Sequence, residues 1–334
     1  VYGLNLLCLA LFLWALLTGR PSWLVGIFLG LSITTHLSSL LMLPLAILTT
    51  EKARLPQMAA GFLLGLSPFL LLPLLAQAGS PVVWGEPDSL RGWWWVVSGR
   101  LYHPNLFSLP PEALAARLRE WAIILPGQFL WAGFVMIGIG FVKIVSSKRS
   151  AVNGRLFTAY CLLLTALLYL LYALGYNTPD AIVFTLPALL LCAILLGMGL
   201  RGLGAWSLVL PLLLLLLNFQ AQNLRQERVV RPFTQTLLQQ TPANALLLSA
   251  DETTTFTLWY FHHVEGQRPD IIVVDTNLFA FDWYRNRLQA QHSDLFVPEK
   301  DDLAAFYAGN EGARPLCHVQ LHPNRVPDIL CQAE

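Results

Sequence analysis

Charge is what this chain of 334 residues has least of. Asp, Glu, Lys and Arg together make up 12% of it, about half the share found in water-soluble chains. A soluble enzyme is thereby excluded as the whole of the molecule. The net charge of +1 removes any bulk electrostatic case for nucleic acid as a partner. There is no initiator methionine and no basic n-region, because apolar sequence follows Val1 at once. The start is therefore not a signal peptide, and it reads as a chain lacking its own N-terminus. Cysteine is scarce at five residues, and no Cys/His spacing reads as a zinc site. Cys8, Cys161 and Cys192 lie in apolar runs and read as packing residues. Cys317 and Cys331 are able to pair if the tail lies in an oxidising compartment, although nothing local requires it. No glycine-rich phosphate loop follows either early strand of the tail, which argues against a dinucleotide site. No cofactor is expected.

Apolar sequence is what the chain does have. Hydrophobic residues make up 55% of it, with a mean hydropathy of +0.56. The distribution is lopsided: 18 of the charged residues fall in 1–219 and 23 in 220–334. The first part reads as a membrane domain, and the remainder is polar enough to fold in water. Crossing a hydrocarbon core takes about 20 apolar helical residues. Seven stretches qualify or nearly so: 2–18, 23–48, 58–76, 121–142, 156–174, 181–200 and 205–218. The second is interrupted by TTHLSS at 34–39.

Basic residues orient these spans. Lys52, Arg54, Lys143, Lys148, Arg149, Arg155 and Arg201 fall on one side. Arg20 and the long segment 77–120, where acids match bases, fall on the other. The positive-inside rule then places 50–57, 143–155 and 201–204 in the cytoplasm, and 77–120 and 220–334 outside a multi-pass inner membrane.

In the tail, 244–251 and 268–277 read as buried strands, and Asp251 as the cap of a helix running to about His263. Residues 281–290 and 301–309 read as helices and 315–321 as a third strand. Strands alternating with helices imply a small parallel α/β sheet. The expected architecture is therefore a polytopic α-helical membrane protein: 1–219 spans the bilayer with a long outer loop at 77–120, and 220–334 forms an outward α/β domain.

The outer loop carries the densest candidates for chemistry. Its run Trp93-Trp94-Trp95, with Trp84 and Tyr102, suits the membrane interface by itself. The charged set beside it, Glu86, Asp88, Arg91, Arg100 and His103, suits a loop that lies on the membrane and closes over a lipid-linked substrate. Arginines hold phosphate bidentately there, and a carboxylate orients an acceptor hydroxyl. His36 lies at mid-span, where ionisable groups mark function by default; the alternative is a neutral ring bonded to Thr34, Thr35 or Ser38. Asp180, after Tyr176-Asn177-Thr178-Pro179, either caps the next helix or faces the same outer cavity. Asp251 and Asp275 stand at the carboxyl ends of adjacent strands, where ligands of open sheets bind, but helix capping and turn chemistry account for both. His262 and His263 are expected to point apart and to make a poor metal site.

Four segments carry a resemblance: VYGLN at 1–5, GLSITTHLSSLLMLP at 30–44, WGEPDSLRGWWWVVSGRLY at 84–102, and the tail from RPFTQTLLQQ at 231 to FAFDWY ending at 284. Over 1 to about 290 the chain resembles the domain-of-unknown-function 2723 family of polytopic bacterial proteins. That family is similar to the animal transmembrane protein O-mannosyltransferases and belongs with the GT-C glycosyltransferases. The resemblance implies transfer of a sugar from a polyprenyl-phosphate donor to an acceptor protein or glycan outside the cytoplasm. It also implies a catalytic carboxylate in a first outer loop, which would fall upstream of Val1, leaving the donor-phosphate and acceptor walls in this chain. Where the family usually has Asn, Thr35 precedes His36. Inverting transfer of this kind needs one carboxylate base and no covalent intermediate. The residues expected at the substrate are Glu86, Asp88, Arg91, Trp94, Arg100, Tyr102, His36 and Asp180. Competing readings are a lipid or solute transporter or flippase, and a non-catalytic membrane scaffold. Against a transporter, no charged residue lies deep in an expected span.

Overall fold

The structure, a computed structural model, describes residues 1–146, 155–226, 228, 230–321 and 327–331. Lys148 and Arg149, used above to orient the spans, lie outside the described residues. The chain divides into two compact units. One holds Val1–Ser80 with Pro87–Gln222, and the other Pro81–Glu86 with Asn223–Glu334. The division falls three residues later than the 219/220 boundary expected from charge. It also assigns six residues of the long outer loop to the C-terminal unit.

The first unit is helical. Its elements are α1 (Tyr2–Leu17), α2 (Ser22–Thr35), α3 (Leu43–Thr49), α4 (Leu55–Gly65), α5 (Leu72–Ala76), α6 (Leu90–Val97), α7 (Pro111–Gly127), α8 (Leu130–Val145), α9 (Arg155–Gly175), α10 (Leu186–Leu200) and α11 (Val209–Gln222). Among the described residues, four helical runs are long and apolar enough to cross a membrane: Lys52–Ala76, Phe157–Gly175, Ala181–Leu200 and Gly204–Gln222. The other three expected spans differ from a single long helix. Tyr2–Leu17 is short. The span expected over 121–142 is bent by 85° between α7 and α8, where Leu130 takes a positive φ of 56° just after Pro126 and Gly127.

The span expected over 23–48 breaks at His36, whose backbone is extended at φ −162°, ψ 123°. The cause is local chemistry. Hydroxyl and amide side chains compete for the carbonyls of the last helical turn, where Ser32 O also accepts from His36 N at 3.0 Å. Thr34 Oγ1 donates to Leu31 O at 2.8 Å, and Thr35 Oγ1 to Ser32 O at 2.8 Å. Asn5 of α1 donates across to Ser32 O at 2.8 Å.

Helices α2 and α4 pack backbone against backbone. Gly26 and Gly30 face Gly61 and Gly65, two small-xxx-small ridges that let the backbones approach. A Cβ on Gly61 would lie 1.9 Å from Trp23 O, and one on Gly30 would lie 2.5 Å from Phe62 O. The buried centre of the unit, including Leu9, Phe12, Leu29, Met42, Tyr169 and Leu191, joins α1–α3 to α9 and α10. By contrast α11 is apolar and exposed, with Leu216 75% accessible, as suits a helix surface bathed in lipid tails.

The second unit is a four-stranded sheet with helices: α12 (Val230–Gln240), β1 (Leu246–Ser249), α13 (Glu252–Trp259), β2 (Ile272–Asp275), α14 (Asp282–Gln291), α15 (Leu303–Asn310), β3 (Leu316–Leu321) and β4 (Pro327–Cys331). Strand order is β2-β1-β3-β4. The expected parallel sheet is present in β2-β1-β3. It is corrected at its edge, where β4 runs antiparallel to β3 and makes the sheet mixed. All residues of β1 and β2 are buried, the pattern of strands covered on both faces. Register places Cys317 opposite Cys331, and the two form a disulfide.

Asp251 caps α13 as expected, accepting from Thr254 N at 2.7 Å. The helix then widens into a π turn at Tyr260–Val264. That turn brings the rings of His262 and His263 to 4.6 Å, edge to face, and corrects the expectation that they diverge. Arg268, at φ 49°, ties the loop before β2 to the end of α12. It donates to Thr241 O and Pro242 O at 2.8 Å each, and to Leu238 O. It also pairs with Asp270 at 2.8 Å.

Candidate functional site

In the helical unit, the break at His36 has two sides. On one, His36 and Ser38 line a small, mostly apolar pocket with Tyr2, Asn5, Phe184 and Leu186. His36 Nδ1 accepts from Ser38 N at 3.3 Å and lies 2.8 Å from Ser38 Oγ. A backbone N–H pointing at Nδ1 makes that nitrogen an acceptor, so the ring proton sits on Nε2. Of the two expectations for His36, the bond to Ser38 is present. Tyr2 packs on the imidazole with centroids 5.5 Å apart, and its hydroxyl lies 3.5 Å from Asp180 Oδ2.

Asp180 is corrected in one respect. It precedes the helical turn Ala181–Thr185 without a side-chain cap bond. Its carboxylate faces the Tyr2 hydroxyl instead, because the loop before it is held by other means. Arg117 of α7 donates to Leu174 O (3.2 Å), Tyr176 O (2.5 Å) and Thr178 O (2.9 Å). These carbonyls lie in the last turn of α9 and just beyond it, where a cation is electrostatically favoured. Asn177 N bonds to Asn105 O at 2.9 Å, and Tyr176 Oη lies 3.5 Å from Tyr102 O. The loop with Asp180 is thereby laced to the turn Arg100–Asn105, which brings Tyr102 close to the same cluster.

On the other side of the break, Ile33, Leu37 and Leu40 form one wall of an apolar groove of about 650 Å³; Phe62, Leu66 and Trp94 are on the opposite wall. The aromatic helix α6 is fixed across it by Trp93 Nε1, which donates to Phe69 O at 2.8 Å. Ser89 caps α6 by accepting from Gly92 N at 3.0 Å. After α6, Gly99 turns the chain at φ 63°, and a Cβ there would meet Leu37 Cδ1 at 2.6 Å. Trp94 is 61% exposed. Asp88, Arg91 and Arg100 are exposed on the same segment, and neither arginine forms an ion pair among the described residues. His103 Nε2 lies 3.0 Å from Ser98 O, a contact that shapes the turn.

Of the expected site residues, His36 and Asp180 converge through Tyr2, with Tyr102 near them through Tyr176. Trp94 lines the groove, and Asp88, Arg91 and Arg100 are exposed on its segment. Glu86 is assigned to the C-terminal unit. Sequence reasoning missed Asn5, Tyr2 and Arg117. The rule applied to His36, that a polar group in an apolar helix needs a reason, would have found Asn5. It donates to Thr35 Oγ1 at 3.0 Å and Ser39 Oγ at 2.8 Å. Arg117 gave no signal among the other charges of α7.

In the tail, Asp275 accepts from Asn277 N and Leu278 N at 2.9 and 3.0 Å, so turn chemistry accounts for it. No group of three or more His, Cys, Asp or Glu among the described residues is placed to hold a metal ion.

Residues 230–298 match the family model described as TMEM260-associated domain 2. A stretch of 75 residues is 31% identical to the mouse (Mus musculus) protein O-mannosyl-transferase TMEM260, covering 22% of this chain and 10% of that relative. The chain thus aligns with about a tenth of the length of the curated relative it matches. No solved structure matches the chain.

Proposed function

We propose that this chain is part of a membrane glycosyltransferase of the GT-C type. The reaction is transfer of a sugar from a polyprenyl-phosphate donor to an acceptor outside the cytoplasm, with protein O-mannosylation as its specific form. The observation that carries this reading is the match of 230–298 to the TMEM260-associated domain, with the identity to a protein O-mannosyl-transferase. The helical unit supports it chemically. A lipid-phosphate leaving group needs an apolar cleft for its tail and cations at the edge for its charge. Here an apolar groove lies beneath an aromatic helix whose segment presents Arg91 and Arg100. The Tyr2–Asp180–His36 cluster offers hydroxyl, carboxylate and imidazole groups to position an acceptor.

In vesicles, the full-length protein is expected to move labelled mannose from polyprenyl-phosphate-mannose to a Ser/Thr peptide. An Arg91→Ala, Arg100→Ala double variant is expected to lose at least about tenfold in rate at low donor, mainly through KM. Two lost charge-assisted phosphate contacts are on that scale or larger. Unchanged donor kinetics would remove the phosphate role from these residues.

The reading places the tail outside the cytoplasm, and the Cys317–Cys331 disulfide suits such an oxidising compartment. An impermeant amine reagent on intact cells is expected to label Lys300 of the tail and to spare Lys52 until the membrane is opened. The reverse pattern would invert the molecule.

A further inference from the structure

Residues 81–86 are the part of the outer loop that the transferase reading leaves unused. They form a strap without regular secondary structure, clustered with a unit that otherwise begins at Asn223. The strap is held at both ends. Its first carbonyl, Pro81 O, accepts from Arg287 Nε at 3.3 Å and Gln291 Nε2 at 2.7 Å, side chains four apart on α14. Val83 is buried, 7% accessible. The Trp84 ring sits between Phe256 of α13, stacked at 6.0 Å, and Trp283 of α14 at 5.8 Å. Pro81–Val83 share a groove with His262, His263, Ile272 and His292, and only about 40 Å³ of it stays unfilled. One backbone carbonyl read by two side chains, with apolar pockets for alternate residues, is the way extended peptides are recognised.

Arg287 and three histidines line this groove, and no carboxylate does among the described residues. Asp294 pairs with Arg314 at 2.7 Å, and Glu265 pairs with Arg231. His262 Nδ1 lies 3.0 Å from Arg268 O.

We propose that this groove is a clamp for an extended apolar peptide, that it is occupied in cis by Pro81–Trp84, and that it lets go of its occupant in acid. His263 lies below the usual imidazole range through loss of surrounding water and then through His262 and His292. His292 is lowered by burial; Asp294 opposes this, while Arg314 and His262 add to it. The closed groove therefore holds fewer protons than the open one. Closure is complete above about pH 6.5, the free imidazole value, and weakens as the pH falls below it. The chain re-enters the helical unit at Pro87, so release of the strap loosens the residues directly before Asp88 and Arg91. The inference is independent of the transferase reading.

Hydrogen exchange of the full chain in lipid nanodiscs, corrected for intrinsic rates, tests it. Amides of Val82–Glu86 are expected to exchange at least about fivefold faster at pH 5.5 than at pH 7.5, with β1 and β2 protected at both. His263→Gln with His292→Gln is expected to remove most of that response without changing the pH 7.5 rate. Trp84→Ala is expected to exchange fast at both pH values, and Trp84→Phe to restore protection. Equal wild-type rates at the two pH values would overturn the clamp. So would a full acid response in the double histidine variant, or loss of β1 and β2 protection together with the strap, which is unfolding and not release.

Discussion

Gly61→Leu is expected to abolish stable folding of the helical unit, while Gly197→Leu is tolerated. Both glycines are interior to apolar helices, and composition does not distinguish them. Their surroundings do. At Gly61 a Cβ would lie 1.9 Å from Trp23 O and 2.7 Å from its carbonyl carbon, whereas at Gly197 nothing lies within 4 Å. The neighbour at Gly61 is backbone, which is unable to swing aside as a side chain would. To admit even a methyl group, α2 and α4 must part, and the Gly26, Gly30 and Gly65 contacts part with them. Association within a bilayer rests on such close packing, because lipid tails are as apolar as the helices. Overpacking ordinarily costs about 1–3 kcal/mol, and more where backbone is the obstacle. Domain stabilities are about 5–15 kcal/mol, so leucine at Gly61 removes a large fraction. Monodispersity and thermal melting in detergent would read the result: loss of the monodisperse species for Gly61→Leu, and a melting temperature within a few degrees of wild type for Gly197→Leu. A well-folded Gly61→Leu protein would show that the α2–α4 contact is looser than described.

Arg268→Ala is expected to be the most damaging single change in the C-terminal unit, at about 3 kcal/mol or more. The guanidinium satisfies carbonyls at Leu238, Thr241 and Pro242 and the Asp270 carboxylate together. Removing it takes the charged donor from all four acceptors, of which Asp270 keeps a bond from Asn244 N at 3.0 Å. Hydrogen bonds to charged groups are worth about 1.5–3 kcal/mol each, discounted here because the pair is partly accessible. Arg268→Lys is expected to recover only part of the loss, since an ammonium lacks the planar fork. The same contact gives a pH dependence. The Arg268 guanidinium, with Asn244 N as a smaller contributor, holds the Asp270 carboxyl well below the usual range. A depressed carboxyl binds fewer protons folded than unfolded. Its stabilisation is therefore present above about pH 4 and is lost as the pH falls through the folded value. Asp270→Asn is expected to flatten the acid limb of a denaturation series on this unit; an unchanged limb would assign acid sensitivity elsewhere.

Much of the C-terminal unit was legible because its signals are local. The apolar run of β1 and the β-branched run of β2 lie in the expected segments, and so do the Asp251 cap, α14 and α15. The missing piece was β4. Pro327–Cys331 contains a proline and an aspartate and carries no alternation of its own, and it pairs because β3 offers an edge and Cys331 meets Cys317. In the helical unit, hydropathy located apolar segments but overstated their continuity. The break at His36 depends on Asn5, and the bend between α7 and α8 on a backbone angle at Leu130. Neither is visible in a window of hydropathy. At the candidate site, the residue types of the aromatic segment suggested a phosphate-binding edge from composition alone. The convergence of Tyr2 on Asp180 was not foreseeable, since it joins positions 178 residues apart.

By itself, then, the sequence determined a charge-poor membrane part, a polar α/β tail and the chemical character of the groups available. These follow from transfer energies and backbone propensities, which act residue by residue. Tertiary structure decided which of those groups meet. It set Trp84 against Phe256 and Trp283, and turned Asp180 from a helix cap to a partner of Tyr2. Such meetings depend on close-packed contacts between segments far apart in the chain, and short-range pattern carries no information about them.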